Sequence, residues 1–187
     1  MVKLVARILA ALWCWRGSRP RQIKRLQIES WLYGRKIRRT ARHVGWLLVV
    51  RAPSTVTKTT SLGDGCVLNG VHVYGGGDVA IGNHVAIGNE TVIYSENHDY
   101  DTGNAIPFGT GWTPKPVRID DCVWIASRVT ILPGTHIGEG AIIQAGSVVH
   151  GEIPPLAIAG GNPAKVFASR DRAHYERLKA EKRFTLC

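Results

Sequence analysis

His98 stands in the stretch YSENHDYD, residues 94–101, with Glu96, Asp99 and Asp101 close beside it. An imidazole titrates near neutral pH, so it can take a proton from a hydroxyl and later return it. A carboxylate that accepts one ring N–H raises the basicity of the other nitrogen, and any of the three acids could serve. A backbone carbonyl could serve too. The pattern is that of a general base with a choice of orienting groups. It does not read as a zinc centre, because the seven histidines include no H-x-x-x-x-H pair, and no metal is expected. Nor do Cys14, Cys66, Cys122 and Cys187 form a C-x-x-C pair, and they read as reduced thiols.

The stretch interrupts a rhythm. Ile119, Ile125, Ile131, Ile137, Ile143 and Val149 recur every six residues. Four positions after each come Val123, Val129, Thr135, Ala141, Ser147 and Ile153, mostly small or β-branched. Upstream, Ile81, Ile87 and Ile93 keep the period, followed by Val85, Thr91 and Asn97. Leu62 and Leu68 fit as well, but VYGGGDV shifts the phase. A period of six is neither helical nor simply alternating. It requires short straight segments separated by turns, stacked so that the same position always points inward, which is a solenoid. In register, the repeat after Ile93 should begin at residue 99; it resumes at Ile119, so 20 residues are inserted. A loop of that length is uncommon in a compact domain unless it is functional. Its three prolines and three glycines limit its conformations, and Phe108 and Trp112 could pin it to a neighbouring surface.

Charge divides the chain differently. Residues 1–60 hold fourteen Lys and Arg against Glu29 alone, a net +13, so the total of +10 leaves −3 for the remainder. Residues 3–16 fit an amphipathic helix with Leu4, Val5, Ile8, Leu9, Leu12, Trp13 and Trp15 on its apolar side. Residues 21–43 read as helical at first, with Ile23, Leu26, Ile28, Trp31 and Leu32 as the apolar set, and Gly34 argues against continuation. LLVV at 47–50 reads as a strand. No run approaches the roughly 20 apolar residues of a membrane-spanning helix. A basic amphipathic segment with tryptophans suits an anionic membrane surface through residues 1–43. Its aromatics accompany Leu and Ile rather than Gly-rich stacking motifs, so no nucleic acid is expected as a partner.

The pieces IGNHVAIGNETVIYSENHDYD, VRIDDCVWIASRVTILPGTHIGEG, AIIQAGSVV and IPPLAIAGGNPAKV carry a resemblance. Together they resemble the hexapeptide-repeat acyltransferases, in the branch of the galactoside, maltose and virginiamycin-type O-acetyltransferases. The resemblance implies a mainly β chain, a left-handed parallel β-helix over 47–166. A basic helical segment at 1–46 would precede it, and a C-terminal helix and tail at 167–187 would follow. It implies acetyl-CoA as acyl donor and His98 as the base that deprotonates an acceptor hydroxyl, with Glu96 and Asp99 beside it. Ser127, after VWIA, matches a position whose hydroxyl meets the reacting carbonyl, although Ala126 departs from the commoner glycine. Trp124 and Ala126 would line the pantetheine channel. Ala145, Gly146 and Ser147 match a coenzyme-binding turn, and Asn162, Pro163 and Lys165 match the final turn, where Lys165 would meet phosphate. Asn69 and Asp101 would face the acceptor. The resemblance further implies a homotrimer with its sites between subunits. The acceptor it suggests is a sugar of an envelope polysaccharide or lipid-linked saccharide, worked on at the cytoplasmic face of the membrane. The competing expectation is a basic membrane- or nucleic-acid-binding solenoid without catalysis.

Overall fold

The computed structural model describes residues 20–185, with side chains from residue 30 onward. The amphipathic run at 3–16, Cys14 and Cys187 lie outside the described residues. Helix α1 (Pro20–Thr40) leads into the first coil, β1 (His43–Val44) and β2 (Leu48–Ala52). The second coil carries β3 (Thr60–Leu62), β4 (Cys66–Asn69) and β5 (Val71–Tyr74), and the third β6 (Val79–Ile81), β7 (Ala86–Ile87) and β8 (Thr91–Tyr94). A hairpin, β9 (Glu96–His98) and β10 (Trp112–Pro114), then stands off the solenoid. The fourth coil is β11 (Val117–Ile119), β12 (Trp124–Ile125) and β13 (Thr130–Ile131); the fifth is β14 (His136–Ile137), β15 (Ile142–Ile143) and β16 (Val148–Val149). The sixth is β17 (Glu152–Ile153) and β18 (Ala157–Gly161), after which β19 (Ala164–Ser169) folds back and α2 (Arg172–Ala180) follows.

The strands stack into three faces. The first face is β1-β3-β6-β11-β14-β17, the second β2-β4-β7-β12-β15-β18 with β19 at its edge, and the third β5-β8-β13-β16. Except for the antiparallel β18–β19 pair, neighbours on these faces are parallel. The isoleucine ladder expected from the period points inward: Ile119, Ile125, Ile131, Ile137 and Ile143 are at most 1% exposed. Of the polar residues four positions on, Thr135 and Ser147 are buried with their hydroxyls satisfied three residues back. Thr135 donates to Leu132 O at 2.6 Å and Ser147 to Gln144 O at 2.7 Å. Four corners turn through a left-handed non-glycine residue, with φ of 55° to 60° at His84, Glu90, Cys122 and Arg128. The inserted segment leaves the register intact, since Ile81, Ile87 and Ile93 pair with Ile119, Ile125 and Ile131.

Three expectations need correction. Ile153, counted in the series four positions on, is instead an inward rung paired with Ile137, because the sixth coil shortens after Gly151, whose φ is +68°. Asn97 is exposed, because the chain has already left the solenoid in β9. Helix α1 continues through Gly34 and buries Ile37, while Trp31 and Leu32, expected on the apolar side, are 58% and 52% exposed. The helix face is set by the exposed edge of the first coil, which α1 covers. Ser30 Oγ accepts the Val50 N–H at 3.1 Å, and Arg38 donates to Gly45 O at 2.9 Å. At the other end β19 pairs antiparallel along β18. Helix α2 is tied down by the Tyr175 hydroxyl donating to Glu139 at 2.9 Å and by Arg170 Nε donating to Gly140 O at 2.6 Å.

Candidate active site

The insertion begins and ends at one corner of the solenoid, between the third and first faces. Lys115 N–H donates to Ser95 O and Val117 N–H to Asp78 O, both at 2.8 Å, so the chain re-enters where it left. Within the hairpin His98 pairs with Trp112 and Glu96 with Pro114. The His98 ring stacks on Phe108 (3.8 Å between centroids, 19° between planes) and meets the Trp112 ring at a tilt (3.8 Å, 33°). Phe108 and Trp112 therefore pack on the histidine itself.

The neighbouring acids are occupied elsewhere. Glu96 accepts the Gly76 N–H at 2.6 Å. The Asp99 carboxylate accepts the Thr102 N–H at 2.9 Å and the Thr102 hydroxyl at 3.0 Å. Among the described residues, no carboxylate hydrogen-bonds the His98 ring. Asp101 is exposed and shares with His98, Asp99 and Lys115 a shallow cavity of about 60 Å³.

The other candidates gather at a different corner, between the second and third faces. Ser127 follows β12 there, and its Oγ accepts the Asn89 N–H at 3.2 Å while its carbonyl accepts the Gly146 N–H at 3.0 Å. Ala145 and Gly146 lie one coil on and are exposed, and a side chain at Gly146 would meet nothing within 4 Å. Ser147 is fully buried, and its hydroxyl also accepts the Gly161 N–H at 3.2 Å. It is a core side chain, so this turn offers outward only the backbone of Ala145 and Gly146. Asn69 ends β4 at the same corner, two coils before Ser127. Trp124 projects from the second face, 51% exposed, beside Ala126. Asn162 and Pro163 form the exposed turn between β18 and β19, next to exposed Lys165.

The structure thus makes two groups and does not join them. The third face separates the His98 corner from the Ser127 corner. At about 3.3 Å per extended residue, that face is on the order of 15 Å wide. Sequence reasoning missed Asn89 and Gly76, which hold Ser127 and Glu96. Both act through backbone amides, which leave no mark on side-chain identity.

Residues 116–151 match the bacterial transferase hexapeptide model, which spans six repeats. A hexapeptide-repeat acetyltransferase of Vibrio cholerae O1 biovar eltor, solved with acetyl coenzyme A, superposes at a TM-score of 0.64 and 28% identity, over 91% of this chain and 88% of its own. Residues 116–151 carry the transferase hexapeptide repeat, and over most of its length the chain is similar to a hexapeptide-repeat acetyltransferase. A galactoside acetyltransferase in complex with coenzyme A (TM-score 0.56, 20% identity, 95% of this chain and 84% of its own) shares the fold. So does a maltose O-acetyltransferase of Clostridium difficile 630 (0.56, 23%, 91% and 89%). A provisionally named acetyltransferase of Bacillus subtilis is 44% identical over 63 residues, 34% of this chain and 36% of its own. One of Schizosaccharomyces pombe is 48% identical over 62 residues, 33% of this chain and 28% of its own. The chain therefore spans about a third of the length of these two relatives.

Proposed function

We propose that this chain moves an acetyl group from acetyl-CoA to a hydroxyl of a sugar. The observation that carries the reading is His98 displayed on a hairpin inserted into an otherwise unbroken solenoid of the acetyltransferase type. His98 takes the acceptor proton as the hydroxyl oxygen attacks the thioester carbonyl. The oxyanion of the tetrahedral intermediate meets the Ser127 hydroxyl, whose oxygen is already fixed by the Asn89 amide and whose proton remains to be donated. Collapse expels the coenzyme thiolate, which receives the proton from the imidazolium. The exposed Ala145–Gly146 turn and the Asn162–Pro163 turn with Lys165 line the path of the coenzyme.

Because His98 and Ser127 occupy different corners, the site forms between copies of a homotrimer. The exteriors support this. The outward ladder of the first face is His43, Ser61, Ala80, Arg118, His136 and Glu152. On the second face it is Val67, Ala86, Trp124, Ile142 and Ile158. A sheet face meeting water alternates apolar in and polar out, so the second face suits cover by a neighbour. Tyr74 and Tyr94, stacked at 5.6 Å and 50% and 39% exposed beside the hairpin, suit the C–H face of a pyranose. An envelope or lipid-linked acceptor, reached at the inner membrane face, is supported by the basic outer side of α1.

His98→Ala is expected to lower kcat at least about 100-fold while coenzyme binding persists. Co-expressing His98→Ala with Ser127→Ala chains gives mixed trimers, each with one interface that holds both residues. Activity then returns to as much as about a quarter of the unmodified level. Near-normal turnover in His98→Ala ends the general-base reading, and failure of the mixture to recover ends the shared-site reading.

A further inference from the structure

We propose that Phe108 and Trp112 are the positioning residues of His98, an aromatic clamp that fixes the imidazole plane and leaves its nitrogen-bearing edge to the reaction. The inference rests on the general-base role proposed above. One ring is stacked at 19° and the other tilted at 33°, and with both centroids 3.8 Å from that of His98 the two cannot share one side of an imidazole. They therefore lie on opposite faces.

Each ring is placed by a separate device. Trp112 is the directly opposed cross-strand partner of His98, the closest side-chain relation an antiparallel pair offers. Phe108 is brought in by the fold of the loop tip. Gly109 N–H donates to Asp99 O at 2.7 Å, and Asp99 N–H donates to Gly111 O at 3.1 Å. The Asp99 carboxylate closes a tight turn on Thr102. The backbones of Gly103 and Gly109 pass so closely that a Cβ on Gly103 would lie 2.6 Å from Gly109 N. Asp99 therefore serves His98 through its backbone and its turn, by folding the segment that delivers Phe108.

A base whose ring is free to rotate spends much of its time misaligned, and misplacement of a reacting group by about 1 Å can cost 10²-fold in rate. Elsewhere a carboxylate on the ring N–H restrains the imidazole. Here the nearby carboxylates are bonded elsewhere, and two aromatic faces supply the restraint. The imidazolium formed on proton transfer meets two π faces, which attract a cation.

The test compares Phe108→Leu and Trp112→Leu with the aromatic exchanges Phe108→Tyr and Trp112→Phe in the full chain. The readouts are kcat, the KM for acetyl-CoA, and the proton shifts of the His98 ring in ¹³C-histidine-labelled protein, assigned by their loss in His98→Ala. Ring currents from flanking aromatics hold those protons upfield. The leucine variants are expected to lose about 10- to 100-fold in kcat with KM within about twofold, and their His98 signals move toward free histidine. The aromatic exchanges keep both rate and shifts. Unmoved signals in both leucine variants overturn the clamp, and moved signals with kcat retained overturn its positioning role. Normal turnover in His98→Ala would instead sink the base reading, leaving the ring shifts as an independent report on geometry.

Discussion

Ser127 is a residue whose surroundings assign it one free proton. The Asn89 amide donates to its oxygen at 3.2 Å, and among the described residues no acceptor takes the hydroxyl hydrogen. A donor that meets an oxyanion better than a thioester carbonyl acts on the transition state. Ser127→Ala is therefore expected to lower kcat by about 10²–10³ with a smaller change in the KM for acetyl-CoA, measured by steady-state thiol release. A change confined to KM would reduce Ser127 to a coenzyme contact. At this scale the insertion that carries His98 was legible because it breaks a count, and the burial of Ser147 should have been, since the same count places it in the core ladder. The partners of Glu96, Asp99 and Ser127 were not legible, because hydrogen bonds to amides depend on where the loop turns. Cys66, read from the sequence only as a reduced thiol, sits where a thiol is also unreactive. It is fully buried, and burial pushes the thiol up to about 11.

Among the elements, the coils were readable because each strand repeats one positional rule. The hairpin was not, because antiparallel register inside an insertion follows from turn geometry rather than from any period. Helix α1 shows a different failure. Gly34 reads as a reason to stop, since glycine in a helix interior costs about 1 kcal/mol relative to alanine. Contact with β2 and the buried Ile37 outweigh that cost, so the helix continues to Thr40. Yet no close contact requires glycine there, because an added Cβ would meet nothing within 4 Å. Gly34→Ala is therefore expected to raise stability by roughly 0.5–1 kcal/mol, seen as a higher midpoint in denaturant at unchanged slope. A lower midpoint would mean that α1 packs more tightly on the first coil than these distances allow.

For the whole molecule, the charge division becomes a matter of ends. Helix α1 caps the start of the solenoid and turns Trp31, Leu32, Arg35, Lys36 and Arg39 outward. Arg35 lies over the Trp31 ring at 4.7 Å. Among the described residues, no helix is long and apolar enough to cross a membrane. In a trimer with parallel solenoids, three such helices would share one end, and their weak affinities would combine. Each basic side chain near anionic lipid contributes about 1 kcal/mol. Reversing Arg35 and Arg39 to Glu, together with Trp31→Ser, is expected to lower sedimentation with phosphatidylserine vesicles at least about tenfold. Turnover on a small soluble acceptor should be unaffected. Equal sedimentation would show that this face is not the anchor.

The hydrogen bonds that close the insertion at Ser95–Lys115 and Asp78–Val117 separate two kinds of inheritance. The rungs before and after pair as if nothing intervened. Doubling the length of a closed loop costs only about 0.6 kcal/mol. A lineage could lengthen, shorten or exchange this hairpin without renegotiating the core beneath it. Selection on what the loop recognises is thereby uncoupled from selection on whether the chain folds. The closest constraint on drift is then local, in the few residues that keep the imidazole between its two rings.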